Sequence, residues 1–561
     1  MSLLRPIPPP YDPLTWCRLP MAARGQQVCE AWALQGYGTP LAVYAAYALK
    51  IALYVGGWLV WCGFTPGLGS LATIGDWWRE PVAFQKAILW SALFEGLGLG
   101  CGSGPLTGRY LPPVGGALYF LRPGTTKLPA WPGLPVVGGV RRTWLDVGLY
   151  AAVVVALVVG LVSAAPARGL LIALAIGLPA LALIDRTAFL AFRPEHYATT
   201  IAVMALTPDW IAGAMAVQLA LWTWAGVSKL NHHFPPVVCV MMSNGPFTRF
   251  AWLRRRMYRR FPDDLRPSGL AVVMAHMGTA LELGVPLVLA LSSGGWSLTL
   301  GLTLMVVLHA FITSSVPMGV PLEWNVMVVY GGFALFGAHP GVGLGDIGLG
   351  PVAALLVITL VIAPLVGNLW PHRLSFLLAM RYYAGNWATS VWLFRGDSYR
   401  KLARLTTSAP WVHDQLARFY DRATAVGLIG KVIGFRLMHL HGRALPGLVA
   451  RAVDRLEDHE WVDGEIVAGL VLGWNFGDGH LHDERLLAAI QAQCGFDDGE
   501  LRCIFVEAQP LGRPTQAWRI VDAARGQLAA GAIAVADLRA RQPWECAADA
   551  GAGEATAAVV R

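Results

Sequence analysis

LDVGLYAAVVVALVVGLVSA, residues 145–164, decides the fold class. Its one charged side chain, Asp146, stands at the start, and the rest is long enough as a helix to cross about 30 Å of hydrocarbon. A helix on the surface of a soluble domain would carry a polar stripe, and this stretch has none. Similar apolar runs occur at roughly 40–62, 82–100, 169–190, 210–229, 269–292, 297–314, 321–337 and 351–369. The whole chain agrees: 561 residues are 55% hydrophobic and 14% charged, with a mean hydropathy of +0.50. Soluble proteins carry about 25% charged residues, so a soluble enzyme is excluded.

The runs predict nine membrane segments. HYATTIAVMALTP (196–208) adds a tenth, short or re-entrant. Residues 371–561 carry 21 of the 43 basic and 21 of the 35 acidic side chains, so the net +8 belongs to the apolar part. Cytoplasmic loops are enriched in Lys and Arg. The 101–143 loop has five basic residues and no acid, and the 230–268 loop has seven arginines. Ten segments place both loops, and both termini, in the cytoplasm. The expected architecture is an all-α polytopic bundle in the cell membrane. Basicity beside membrane segments points to orientation and anionic lipid, with no nucleic-acid partner.

Four regions follow. Residues 1–39 form a Pro-rich cytoplasmic segment without a cleaved secretion signal, 40–370 the transmembrane domain, 371–546 an amphipathic connector with a small α/β or α+β soluble domain, and 547–561 a disordered Ala/Gly-rich tail. RLSFLLAMRYYAGNWATSVWLF (373–394) reads as an interfacial amphipathic helix. Beyond it come a strand over 465–473, a helix over 483–493, a strand over 501–507 and a helix over 515–531. In GWNFGDGHLHDE (473–484), Asp478, His480, His482 and Asp483 suggest metal ligands, but a polar turn capping the next helix is the better reading. The eight cysteines include no CxxC pair, GLGLGCGSG does not match a nucleotide-binding GxGxxG, and the histidines do not form desaturase-type boxes.

An ionisable group within a membrane segment is costly. Lys86, Glu95, Asp185, Arg186, His196, Lys229, His276, Glu282, His309 and Glu323 therefore each need a reason. Lys229 is the most informative, because the chain has only six lysines against 37 arginines. A desolvated lysine can act as a base, whereas arginine stays protonated. Ala225 and Gly226, one turn before, leave space beside the amine, and Trp222 lies on the same stripe, a setting for a flat ligand.

LWTWAGVSKLN (221–231) resembles the AGVKKLD-type signature of the vitamin K-dependent γ-glutamyl carboxylases and the wider HTTM membrane family. IDRTAFLAFRPEHYATT (184–200), ELGVPLVLAL (282–291) and LHAFITSSVPMGVPLEWN (308–325) resemble further motifs of that family in its order, outlining an HTTM-like core over about 184–330. Full length and Pro-rich start also resemble an uncharacterised family of bacterial multi-pass proteins known only as a transmembrane domain of unknown function. The carboxylase resemblance implies that Lys229 is a base acting on a hydroquinone, with His196 and His309 orienting it or stabilising charge. Ser228 and Asn231 depart from the motif, and the carboxylases' large extracytoplasmic β-rich region has no counterpart.

Together these features predict a membrane enzyme, γ-carboxylase-like in chemistry as an oxidoreductase or lyase, acting on a quinone-type or lipid molecule. Its catalytic residues are Lys229, His196 and His309, its substrate-binding residues Trp222, Gly226 and Glu282, with no metal and a quinone or hydroquinone as the cofactor suggested. The alternative is a non-enzymatic lipid or quinone carrier or assembly scaffold that uses the same pocket for binding alone.

Overall fold

The computed structural model describes residues 2–100, 107–111, 116–314 and 321–546. Cys101, the Gly-rich stretch beside it, part of the 308–325 motif and the expected disordered tail lie outside the described residues. Six described helices are long and apolar enough to cross a membrane: Leu41–Cys62, Trp144–Val162, Ile211–Ser228, Gly269–Leu291, Gly295–Thr313 and Pro351–Leu369. The other expected segments fold into shorter pieces. Pro81–Gly96 has 16 residues and Arg168–Ile184 has 17. The 321–337 run begins as helix Leu322–Gly331 and continues with π-type hydrogen bonding through Gly337. Residues 196–208 lie in a π turn, Pro194–Ala198, followed by the eight-residue helix Thr199–Leu206. At 1.5 Å per residue the latter pair is too short to span hydrocarbon.

The C-terminal region holds a five-stranded antiparallel sheet. A small hairpin, β1 (Tyr258–Arg260) and β2 (Asp264–Pro267), precedes it in the chain. The sheet consists of β3 (Thr389–Arg395), β4 (His459–Asp463), β5 (Leu501–Val506), β6 (Thr515–Asp522) and β7 (Gly526–Ala534), in the order β4-β3-β5-β6-β7. The strand over 501–507 and the helix over 483–493 stand as expected, the latter as Glu484–Cys494.

Three expectations fail here. Residues 373–394 are not an amphipathic helix; they run through turns into β3, buried between two neighbours in the sheet. The expected strand over 465–473 is the helix Gly464–Leu472, because Asp463 caps its start and Gly473, at φ +85°, ends it in the left-handed conformation. All its positions are buried, so its sequence shows no helical period. The expected helix over 515–531 is the β6–β7 hairpin. Asp522 accepts from the backbone of Ala524 and Arg525, and Gly526 turns at φ +80°.

The two ends of the chain pack onto this framework. Helix Met21–Gln35 lies on helix Arg422–Met438, where Trp32 meets Phe435 at 5.6 Å between ring centres. A Cβ on Gly434 would come within 2.9 Å of Val28, so the glycine sets that close approach. Helix Arg422–Met438 and the following His441–Ala452 together form an apolar pair bent by 100°. Arg109 and Arg142 donate to the carbonyls of Gly469 and Leu472, tying the 107–143 segment to the C-terminal region. One continuous hydrophobic core therefore includes residues from Trp16 to Leu538.

Arg193 joins the two halves. It is fully buried, 2.7 Å from Glu195 and 3.9 Å from Glu95, and its guanidinium lies within 5.4–5.6 Å of the ring centres of Trp324, Tyr382 and Phe476. Tyr382 donates to Glu195 at 3.0 Å. The residue before a proline is disfavoured in the right-handed helical region, and Arg193, preceding Pro194, takes a left-handed φ of +49°. This turns the chain so that both carboxylates reach one cation. Replacing Arg193 by Gln removes the positive charge shared by two buried carboxylates, and the expected loss is about 3–5 kcal/mol. It should appear as a lower apparent melting temperature in detergent and faster proteolysis of the 371–546 region.

Candidate functional site

Helix Ile211–Ser228 presents Trp222, Ala225 and, at its C-terminal cap, Lys229 along one stripe. Its end is fixed locally: Lys229 N–H bonds the Gly226 carbonyl, and Asn231 caps back onto Ser228 before Pro235 and Pro236 open the next helix. Helix Gly269–Leu291 supplies Gly278 and Glu282 one turn apart, and helix Gly295–Thr313 supplies Leu308, His309 and Ile312. Between them lies a cavity of about 200 Å³. Lys229, Trp222, Glu282 and His309 all line it.

Lys229 is no isolated amine. It donates to the Glu282 carboxylate and, at 3.4 Å, to the Ala225 carbonyl, while its ammonium stands 5.5 Å from the Phe234 ring centre. Both members of the pair are nearly buried, Lys229 at 9% and Glu282 at 7% side-chain exposure. The pair places one transferable proton between two groups that face the same space.

His309 has a defined tautomer. An indole N–H can only donate, so Trp222 Nε1, 2.9 Å away, donates to His309 Nε2. His309 Nδ1 then carries the hydrogen and donates to Asn325 Oδ1 at 2.7 Å, while Asn325 is oriented by its own bond to the Pro321 carbonyl. Both ring nitrogens are engaged, which suits His309 to holding Trp222 against the cavity. His196 does not line the wall. It sits behind Trp324, ring centres 6.3 Å apart, and Trp324 in turn lies 6.4 Å from His309. The Nδ1 of His196 has no hydrogen-bond partner among the described residues.

Gly226 does not provide room beside the amine. A Cβ there would come within 2.7 Å of Leu283, so the missing side chain lets helices Ile211–Ser228 and Gly269–Leu291 approach closely enough for Lys229 to meet Glu282. Gly226→Leu should therefore wedge the helices apart. The expected cost is about 1–3 kcal/mol, read as a lower melting temperature in detergent.

The second wall was not evident from sequence. Phe376, Arg381, Tyr382, Trp387 and Phe476 come from the C-terminal region, together with Arg436 and Glu465. Arg436 bonds Asp463 and lies 2.9 Å from Glu465. Burial pushes the Glu465 carboxyl up to about 7 against the pull of Arg436. The dense aromatics around Arg381 were the available signal, though they resemble an interfacial helix as readily as a cavity wall. At the outer end the lining reaches Phe311, which is 42% exposed on a membrane-length helix.

The family comparison matches a model for transmembrane proteins of unknown function, DUF3556, over residues 1–552. The chain belongs to the DUF3556 family. No curated protein and no solved structure matches it. In this DUF3556 chain, no group of three or more His, Cys, Asp or Glu among the described residues is placed to hold a metal ion.

The GWNFGDGHLHDE segment of the family member has structural partners. Asp483 caps helix Glu484–Cys494 through the Arg485 N–H, and His482 Nδ1 lies 2.6 Å from Ser390 Oγ. His480 stands between Asp478 and Glu507, 3.4 and 3.0 Å away. Burial opposes its charge, but the Glu507 and Asp478 carboxylates outweigh it and hold the imidazole up at about 10. A raised folded value means that this contribution to stability is complete below the ordinary 6.5 and disappears as pH rises through about 10. The melting temperature in detergent should fall over that interval, and His480→Gln should flatten the fall.

Proposed function

We propose that this integral membrane protein binds a lipid-soluble molecule, quinone-type or lipid, in the Lys229 cavity and acts on it with Lys229 as base. The reading includes an HTTM-like core and an even number of crossings of the cell membrane, which keeps both termini cytoplasmic. Its main support is the convergence of Trp222, Lys229, Glu282 and His309 on one largely apolar cavity that reaches a lipid-facing helix surface. For Lys229 to act, its ammonium first passes a proton to Glu282; the free amine then takes the proton of a ligand hydroxyl, leaving the ligand as an oxyanion beside the new ammonium. A low-dielectric site excludes competing water from this exchange. His309 fixes the Trp222 indole plane against the ligand, and His196 supports Trp324 from behind.

A second reading, a carrier or assembly scaffold, is favoured by the engagement of both His309 nitrogens and of Lys229 with protein groups. Purification in mild detergent with mass spectrometry of the retained lipids and quinones separates the two. The enzyme should retain a lipid-soluble molecule and convert it on incubation, and Lys229→Ala should abolish conversion while retaining part of the binding. Unchanged lipid content with wild-type phenotype in Lys229→Ala would favour the scaffold.

A further inference from the structure

Four cations line the cavity: Lys50, Lys229, Arg381 and Arg436. Lys50 lies 3.0 Å from Glu323, Lys229 bonds Glu282, and Arg436 is held by Asp463 and Glu465. Arg381 differs. It is 4% exposed, and among the described residues it has no carboxylate within 4.0 Å. Its bonds go to the carbonyl of Gly367 at 3.3 Å and to that of Asn386. A guanidinium has five N–H donors, so two carbonyls leave donors unused, and the nearest acids, Glu507 and Asp478, act on the charge only from beyond 4.0 Å. A buried charge without a direct salt-bridge partner is costly, and an anion brought into the cavity would lower that cost.

The rest of the cavity describes what would carry that anion. Arg381 follows the last membrane-length helix, Pro351–Leu369, in the chain, and Tyr382, Tyr383 and Trp387 flank it. The lining also includes Phe234, Val238, Met241 and Met274. Phe311 and Ile312 on helix Gly295–Thr313 belong to it too, and Phe311 and Met277, 42% and 68% exposed, lie at the surface of helices Gly295–Thr313 and Gly269–Leu291. Methionine and aromatic surfaces adapt to a flexible chain.

We propose that the cavity takes an amphiphile whose anionic head, a carboxylate or a phosphate, sits on Arg381 while its apolar chain leaves between helices Gly269–Leu291 and Gly295–Thr313. This rests on the reading that the cavity holds a lipid-soluble molecule and names the chemical class of that molecule. Charge-assisted bidentate bonds are the natural use of an arginine with free donors.

The test uses the full-length protein, stripped of lipid in neutral detergent, with native mass spectrometry and thermal shift as readouts. Oleate is compared with oleyl alcohol, and phosphatidic acid with diacylglycerol, so that each pair shares its chains and differs in charge. The two acidic probes distinguish a carboxylate from a phosphate head, and inorganic phosphate alone tests whether the chain is needed. At least one acidic lipid should bind about tenfold or more tightly than its neutral counterpart, the effect of a single charged hydrogen bond. Arg381→Gln should remove that difference and leave neutral binding unchanged, while Arg381→Lys should restore part of it. Gly278→Trp, whose Cβ meets only the Phe234 ring at 3.9 Å, should fill the cavity and block both kinds of probe.

Equal binding of charged and neutral partners in the wild type overturns the anionic head, and so does indifference to Arg381→Gln. Inorganic phosphate binding as tightly as phosphatidic acid overturns the amphiphile. These results leave the cavity as a lipid site. Binding of every probe unaffected by Gly278→Trp, or absent throughout, overturns the cavity reading itself. Should Arg381→Gln fail to fold, the wild-type comparison and Arg381→Lys still decide the matter.

Discussion

A fully buried guanidinium has to be neutralised where water cannot help, and Arg193 meets that requirement only when distant parts of the chain come together. Glu95 comes from the helix Pro81–Gly96, Glu195 from the turn beside Arg193, and the three aromatic rings from positions 324, 382 and 476. The rings of Trp324, Tyr382 and Phe476 also line the cavity. Thus the packing that shields this cation also shapes the site. The same principle recurs in Lys127 with Asp146 and Arg142 with Asp185, partners 19 and 43 residues apart in the chain. Charges that would oppose membrane insertion if unpaired become links between the helices and the segments that connect them.

The cavity depends on those links at two levels. Gly226 brings two helices close enough for Lys229 and Glu282 to pair, and Asn325 fixes the His309 tautomer that holds Trp222. Neither residue needs to touch a ligand to determine the site. The second wall then brings Arg381 and its aromatic neighbours over the same space. The site is consequently a product of the whole chain, in keeping with a family match that runs from residue 1 to 552.

The sequence reveals features that depend on composition alone and conceals those that depend on partners. Residues 145–164 announce a membrane helix because apolarity over that length needs no neighbour to be recognised, and the Trp222–Lys229 stripe follows from helical spacing. The shorter helices are overestimated because an apolar run does not show where Asp185 or Arg193 breaks it. Gly226 signals close approach but not whether the space belongs to a ligand or to Leu283. Residues 464–472 are buried on every side, so no period distinguishes their helix from a strand. Arg381 is invisible as a site residue because its place is set by the fold of a region far from Lys229 in the chain.

The order in which the two walls occur along the chain has a consequence for biogenesis. Residues 222–325 leave the ribosome before residues 376–477, so the helices that carry Lys229 and Glu282 are made before the wall that covers them. Completion of the C-terminal region then adds Phe376, Arg381, Tyr382, Trp387 and Phe476 to the space that the earlier helices line, so the site is finished only late in synthesis.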